Sequence, residues 1–218
     1  MDWPLLAALP DAERAQVLGS ARRRTFGRDE VVCHAGDPAD SVHFIVSGHV
    51  AVRVTLPSGD PALLNVLGPG DHFGELALLR EDGCRTATVF ALEGAETLVL
   101  PSHVFHRLRE GNVDVERVLT RMLADRVDAL SQRLLEVMYV GLDRRVARCL
   151  VGLARSYSSP EGRGPIPLNQ QQVAHLAGGS RASVNQVLRR LVDEGVLRLS
   201  RGRIEVLDPT GLARRTGL

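Results

Sequence analysis

Pro101 separates two regimes of hydrophobic spacing, and any fold for this chain must satisfy both. Between about Thr25 and Leu100 the apolar residues come in short, β-branched runs. Turn formers cut these runs at intervals: Gly36-Asp37, Gly48, Ser58-Gly59-Asp60, Gly68-Pro69-Gly70-Asp71 and Asp82-Gly83. Glycine supplies positive φ and aspartate bonds its own backbone, so such clusters end strands. Short strands punctuated this regularly predict a β-barrel or double-sheet jelly roll. The clearest strands are residues 42–46, 50–54 and 62–66, and in the second Val50, Val52 and Val54 point towards one core. Leu5 to Gly19 reads as a short helical lead-in.

Beyond Pro101 the period lengthens to about three and a half. Leu123, Val127, Leu130, Leu134 and Val137 fall at alternating steps of four and three, which is a heptad seam. No proline occurs between Ser102 and Pro160, and Asp125, Arg126, Asp128 and Arg133 lie off the seam. The pattern predicts a long helix pairing with its copy in a parallel dimer. The plainer alternative is one amphipathic helix lying on its own barrel. Gly141 marks a hinge before a further helix from Asp143. The fold class is α+β: a β-domain over residues 1–110, a dimerisation helix over 111–140 and a C-terminal domain over 141–218.

Charge follows the same division. Residues 1–140 hold 14 Arg against 20 acidic residues, whereas 141–218 hold 13 against 6. A basic domain joined to an acidic one fits a nucleic-acid binder with a separate sensor. Of the 218 residues, 44% are hydrophobic and 24% charged, enough for two modest cores. No apolar run approaches a membrane span, and the Met1-Asp2-Trp3-Pro4 start lacks signal-peptide features, so a cytoplasmic protein without membrane contact is expected. Cys33, Cys84 and Cys149 are scattered singly, which disfavours disulfides and clustered metal ligands.

The basic end carries a recognisable pair of helices. Asn169 and Gln172 form a capping pattern opening a helix from Gln170 to Ala177, with Val173, Leu176 and Ala177 on one face. Gly178-Gly179 ends it, and Ser180 caps a second helix from Arg181 to Glu194. There Val184, Val187, Leu188, Leu191 and Val192 face inward, and Arg181, Asn185 and Arg189 outward. Two short helices on a tight turn make a helix-turn-helix. Ser180, Arg181, Ala182, Ser183, Asn185, Gln186 and Arg189 are its candidate DNA contacts, since Arg pairs with guanine and Asn or Gln with adenine. Residues 196–199 and 204–207 then read as a hairpin whose tip bears Arg201 and Arg203, a cationic wing.

The densest motif of the β-region is Phe73-Gly74-Glu75-Leu76-Ala77-Leu78-Leu79, followed by Arg85-Thr86-Ala87-Thr88. A helix opening at Gly74 aims free N–H groups at an anion, Arg85 offers a bidentate guanidinium, Thr86 a hydroxyl and Glu75 an acceptor. The alternative is that Glu75 and Arg85 neutralise each other in a salt bridge. This cassette resembles that of cyclic-nucleotide-binding domains. With the downstream helix-turn-helix, the chain resembles the CRP/FNR family of bacterial transcription regulators from Phe26 to Asp208. The resemblance implies an N-terminal jelly roll that binds a cyclic nucleotide such as cAMP, with Glu75 at the ribose 2′-OH, Arg85 and Thr86 at the cyclic phosphate, and Gly74 and Leu76 also among the ligand-binding residues. It implies that long-helix residues meet the base across the dimer seam.

The chain departs from that pattern in two places. Cyclic-AMP-responsive members present Thr and then Ser to adenine, where this sequence has Leu130 and Ser131. The best-known cyclic-AMP receptor of the family reads DNA with an Arg-Glu pair and a later Arg, where Arg181-Ala182 and Gln186 stand here, so a different operator is expected. The expected partners are double-stranded DNA with a near-palindromic site, a second copy of the chain through Leu123, Val127, Leu130, Leu134 and Val137, and RNA polymerase as a candidate. No metal is expected. Rival readings keep the regulator but replace the nucleotide by haem or a redox signal, or by no effector. His72, Cys84, His103 and His106 are candidate haem ligands without a motif. A metal-dependent jelly-roll enzyme is disfavoured because His43 and His49 lack a His-x-His spacing and no catalytic constellation is evident.

Overall fold

Pro10 splits the apolar lead-in, because a proline cannot continue a helix that precedes it. Helix α1 spans Pro4–Ala7 and α2 Asp11–Ser20. The computed structural model describes residues 3–7, 9–159 and 162–217; the Met1-Asp2 start, Ala8 in the lead-in and Pro160 lie outside the described residues. Strands β1 (Arg22–Phe26), β2 (Val31–Cys33), β3 (Ser41–Ser47), β4 (Val50–Thr55), β5 (Pro61–Leu67) and β6 (His72–Phe73) precede a short helix α3 (Glu75–Leu79). Strands β7 (Thr88–Ala91) and β8 (Ala95–Pro101) follow it. They build two four-stranded sheets in the orders β1-β8-β3-β6 and β2-β7-β4-β5. In the first, β8 pairs antiparallel with both β1 and β3, Arg22 opposite Val99 and Ser41 opposite Pro101.

One core lies between the sheets, where Phe26, Ile45, Phe73 and Ala95 meet Val50, Val89 and Ala91. A second covers the other face of β3, where Val42 and Phe44 pack with Trp3, Leu5, Phe105, Val115 and Leu119. A strand covered on both faces needs apolar residues on both, which is why residues 42–46 lack a polar alternation. The alternation expected in β4 is imperfect for a related reason: Val50 is buried and Val52 packs on the inter-sheet core, but Ala51 is buried as well.

Helix α4 (Ser102–Gly111) stops at Asn112, whose backbone is extended and whose Oδ1 accepts from the N–H of Asp114 at 3.0 Å. This cap opens α5 (Val113–Tyr139), and Gly141 separates it from α6 (Leu142–Ser156). A two-residue ribbon, β9 (Ser158–Ser159) with β10 (Gly162–Arg163), leads to α7 (Gln170–Ala177), α8 (Arg181–Asp193), β11 (Leu197–Ser200), β12 (Arg203–Val206) and α9 (Pro209–Arg214). Ile166 and Ile204 exchange backbone bonds of 2.8 and 2.9 Å, adding a third edge to the hairpin. Val146, Leu150, Leu168, Val173, Val184, Leu188 and Leu212 are buried in this region. The chain divides into two compact units, Met1–Pro61 with Asn65–Leu130 and Ser131–Leu218 with Ala62–Leu64, so the division falls inside α5. The seam residues Leu123, Val127, Leu130, Leu134 and Val137 are 37–61% exposed in the single chain.

Candidate ligand pocket and nucleic-acid interface

The turn between β6 and α3 is built around Gly74, which sits at φ +97°. A Cβ there would lie 2.3 Å from Arg85 Nη1 and 2.9 Å from the carbonyl oxygen of Ser41. Glycine is therefore required twice, by backbone conformation and by the approach of the arginine. The loop bearing Arg85 is laced to the turn before β3: Arg85 N donates to Asp37 O at 2.8 Å, Gly36 N to Arg85 O at 2.8 Å and Ala39 N to Gly83 O at 2.7 Å. The Gly36-Asp37 turn, which in the sequence reads as strand punctuation, thus anchors the site.

Between these loops lies a cavity of about 450 Å³, open mouth included. Gly74, Glu75, Leu76, Arg85 and Thr86 all line it, together with apolar residues such as Val52, Leu67 and Val89. Glu75 and Arg85 are only 4% and 6% exposed. They do not neutralise each other. Glu75 Oε1 accepts from Arg126 Nη1 of α5 at 2.9 Å, whereas Arg85 Nη2 donates to Asp40 Oδ1 and Ser41 Oγ, both at 3.1 Å. The second Glu75 oxygen, Oε2, is buried without a hydrogen-bond partner. Burial raises the Cys33 thiol on the cavity wall above its ordinary range, so it stays protonated. Burial likewise lowers His72, keeping it neutral.

Arg126 is the site residue that sequence reasoning misses; its off-seam position makes it look like solvent-facing charge. Leu130 and Ser131 are exposed on α5 and are not among the residues lining the cavity. Of the rival ligands, Cys84 Sγ donates to Asp82 O, and His49 Nδ1 lies 2.6 Å from Glu93 Oε1. Among the described residues no three His, Cys, Asp or Glu side chains converge as a metal site, and no helix is long and apolar enough to cross a membrane.

The second constellation lies around α7 and α8. Asn169 Oδ1 accepts from Gln172 N at 2.9 Å while Gln172 Oε1 accepts from Asn169 N at 2.8 Å, a reciprocal cap. Gly178 ends α7 at φ +64°, and a Cβ on Gly179 would lie 2.7 Å from Leu142 Cδ1. Ser180 caps α8 by accepting from Ser183 N at 3.1 Å. Arg181, Ala182, Ser183, Gln186 and Arg189 are exposed as expected. Two expectations need correction. Asn185 is half-buried, its Oδ1 enclosed without a partner, rather than fully outward. Val192 is 36% exposed rather than inward, because the core-facing stripe of α8 ends at Leu191. The wing returns Arg201 and Arg203 to the start of α8: with Arg181, Gln170 and Gln171 they line one concavity of about 760 Å³. Gly202 turns the tip at φ +68°. A cationic concavity with exposed amides offers phosphate and base-edge donors together.

A jelly roll followed by a winged helix-turn-helix is the architecture of a class of transcription regulators. Residues 23–112 match the cyclic nucleotide-binding domain, and residues 144–215 the Crp-like helix-turn-helix domain. The chain is 32% identical over 204 residues to a cyclic AMP receptor protein of Thermus thermophilus, covering 93% of this chain and 92% of that one. It is 30% identical over 193 residues to a CRP-like cAMP-activated global transcriptional regulator of Mycobacterium tuberculosis, covering 87% and 86%. The crystal structure of the Thermus thermophilus catabolite activator protein matches over 98% of both chains with a TM-score of 0.55 and 30% identity. The chain belongs to the CRP/FNR family of transcription regulators, which are DNA-binding proteins and not enzymes.

Proposed function

We propose that this regulator is a homodimer whose cavity at Glu75, Arg85 and Thr86 takes a cyclic nucleotide, cAMP or a close analogue, and so controls its hold on a near-palindromic operator. The observation that carries the reading is Glu75 Oε2. A buried acceptor without a donor costs about 1–3 kcal/mol, and a ribose hydroxyl would supply that donor. Arg85 and Thr86 stand on the same wall for the phosphodiester. The relatives named cAMP-activated and cyclic AMP receptor support the same ligand class.

In this reading Leu123, Val127, Leu130, Leu134 and Val137 close the dimer, and Leu130 and Ser131 meet the base across the seam. Residues 1–110 sense, 111–140 dimerise and 141–218 read DNA, in the cytoplasm, with RNA polymerase as the candidate further partner. Titration calorimetry with cAMP and with cGMP tests the pocket. Binding in the micromolar range that Arg85→Ala abolishes is expected; no heat with either ligand from a folded protein would refute the nucleotide reading.

A further inference from the structure

Arg85 is the one arginine among the described residues that is buried, at 6% exposure, and a polar relay holds its guanidinium. Ser41 Oγ lies 2.7 Å from Asp40 Oδ1, 3.1 Å from Arg85 Nη2 and 3.3 Å from His43 Nε2. His43 Nδ1 in turn lies 3.2 Å from Thr97 Oγ1 of β8. Donor and acceptor chemistry fixes every direction in this chain. A carboxylate only accepts and a guanidinium only donates. The single Ser41 proton therefore goes to Asp40, one Ser41 lone pair takes Arg85, and the other takes the Nε2–H of His43. Nδ1 is left as the acceptor for the Thr97 hydroxyl.

Burial, aided by the Arg85 charge, holds the His43 pKa down to about 3, so the ring stays neutral and keeps one tautomer. It stacks on Phe73 at 4.8 Å, one residue before Gly74. None of Asp40, Ser41, His43 and Thr97 lines the cavity, whereas Arg85 does. Asp40 is 85% exposed at its side chain and so offers a loosely held grip, whereas the buried serine hydroxyl is held from both sides.

We propose that Ser41, oriented by His43 and Thr97, is a positioning residue for anion recognition: it occupies Arg85 Nη2 outside the cavity and presents the rest of the guanidinium to a phosphodiester within it. This rests on the cyclic-nucleotide reading only for the identity of the anion. A clamped guanidinium rotates slowly about its Cζ–Nη bonds, so its side-chain ¹H–¹⁵N signals separate; a loosened one averages them.

The test records arginine side-chain spectra of the ligand-free full chain for the wild type, Ser41→Ala and Ser41→Thr, with Arg85→Ala assigning the signal, and adds calorimetry with cAMP. Expected are a resolved Arg85 Nη2 signal in the wild type and Ser41→Thr, its averaging in Ser41→Ala, and cAMP affinity about tenfold weaker in Ser41→Ala alone, the scale of one hydrogen bond to a charged group. An unchanged Arg85 signal and unchanged affinity in Ser41→Ala would overturn the proposal. If the signal responds as expected while the wild type binds no cAMP, the positioning role stands and the nucleotide reading falls. Should Ser41→Ala not fold, Ser41→Cys replaces the hydroxyl by a weakly hydrogen-bonding thiol at nearly constant volume; a rigid Arg85 signal in that variant would equally count against Ser41.

Discussion

A single missing methyl group governs the cavity beside Arg85. At Gly74 an added Cβ would collide with Arg85 Nη1 and with the Ser41 carbonyl, at a backbone angle L-residues seldom adopt. Gly74→Ala is expected to lower unfolding free energy by about 1–3 kcal/mol, the usual cost of such strain. It should also weaken cyclic-nucleotide binding more than Leu76→Ala does, because the displaced group is Arg85 itself. Denaturant titration and calorimetry on both variants check this; equal binding losses would mean that the arginine does not move. At this scale the cassette residues are legible in the sequence, since Gly74, Glu75, Arg85 and Thr86 are close together and chemically distinctive. Asp40, Ser41, His43 and Arg126 are not legible as site residues. They arrive from β3, the turn before it and α5, so only tertiary packing shows whom they touch.

Helices and hairpins are easier to read, because their signals are local. The Asn169/Gln172 cap, the Gly178-Gly179 break and the Ser180 cap lie where spacing puts them, and the basic wing follows. What spacing misjudges is depth: Asn185 shares its helical face with exposed arginines yet is half covered, and Val192 lies just past the end of the buried stripe. The long strand run of residues 42–46 cannot reveal from sequence that helices cover its second face. The two basic elements should differ in what they read. Arg181→Ala, in the first turn of α8, is expected to cost about 1–3 kcal/mol and to relax preference at one base position. Arg203→Ala, on the wing, should weaken all DNA alike and reduce the salt slope by about one. Binding titrations on operator and random duplexes across salt concentrations separate them, and equal losses on both duplexes for Arg181→Ala would remove it from the base-reading set.

Over the whole molecule, the acidic half carries the cavity and the basic half the DNA-reading elements, a division that the distribution of charge along the chain makes plain. If the ligand favours the DNA-competent state, linkage requires reciprocity: operator DNA must raise cyclic-nucleotide affinity by the factor by which the nucleotide raises DNA affinity. Calorimetry with and without operator, set against DNA titrations with and without ligand, measures that factor from both sides, and a ligand affinity that operator DNA leaves unchanged would exclude the coupling. A two-fold dimer further places half-site centres about 34 Å apart.

Helix α5 is anchored within each of the two units. Arg126 holds Glu75 in the cavity, and Arg133 donates to the carbonyl oxygen of Leu176 at the end of α7 at 2.7 Å. The first anchor lies before the division between the units and the second after it. The one helix that runs through the division is thus fastened by a separate arginine within each unit, so either fastening can be cut by a single substitution that leaves the other in place.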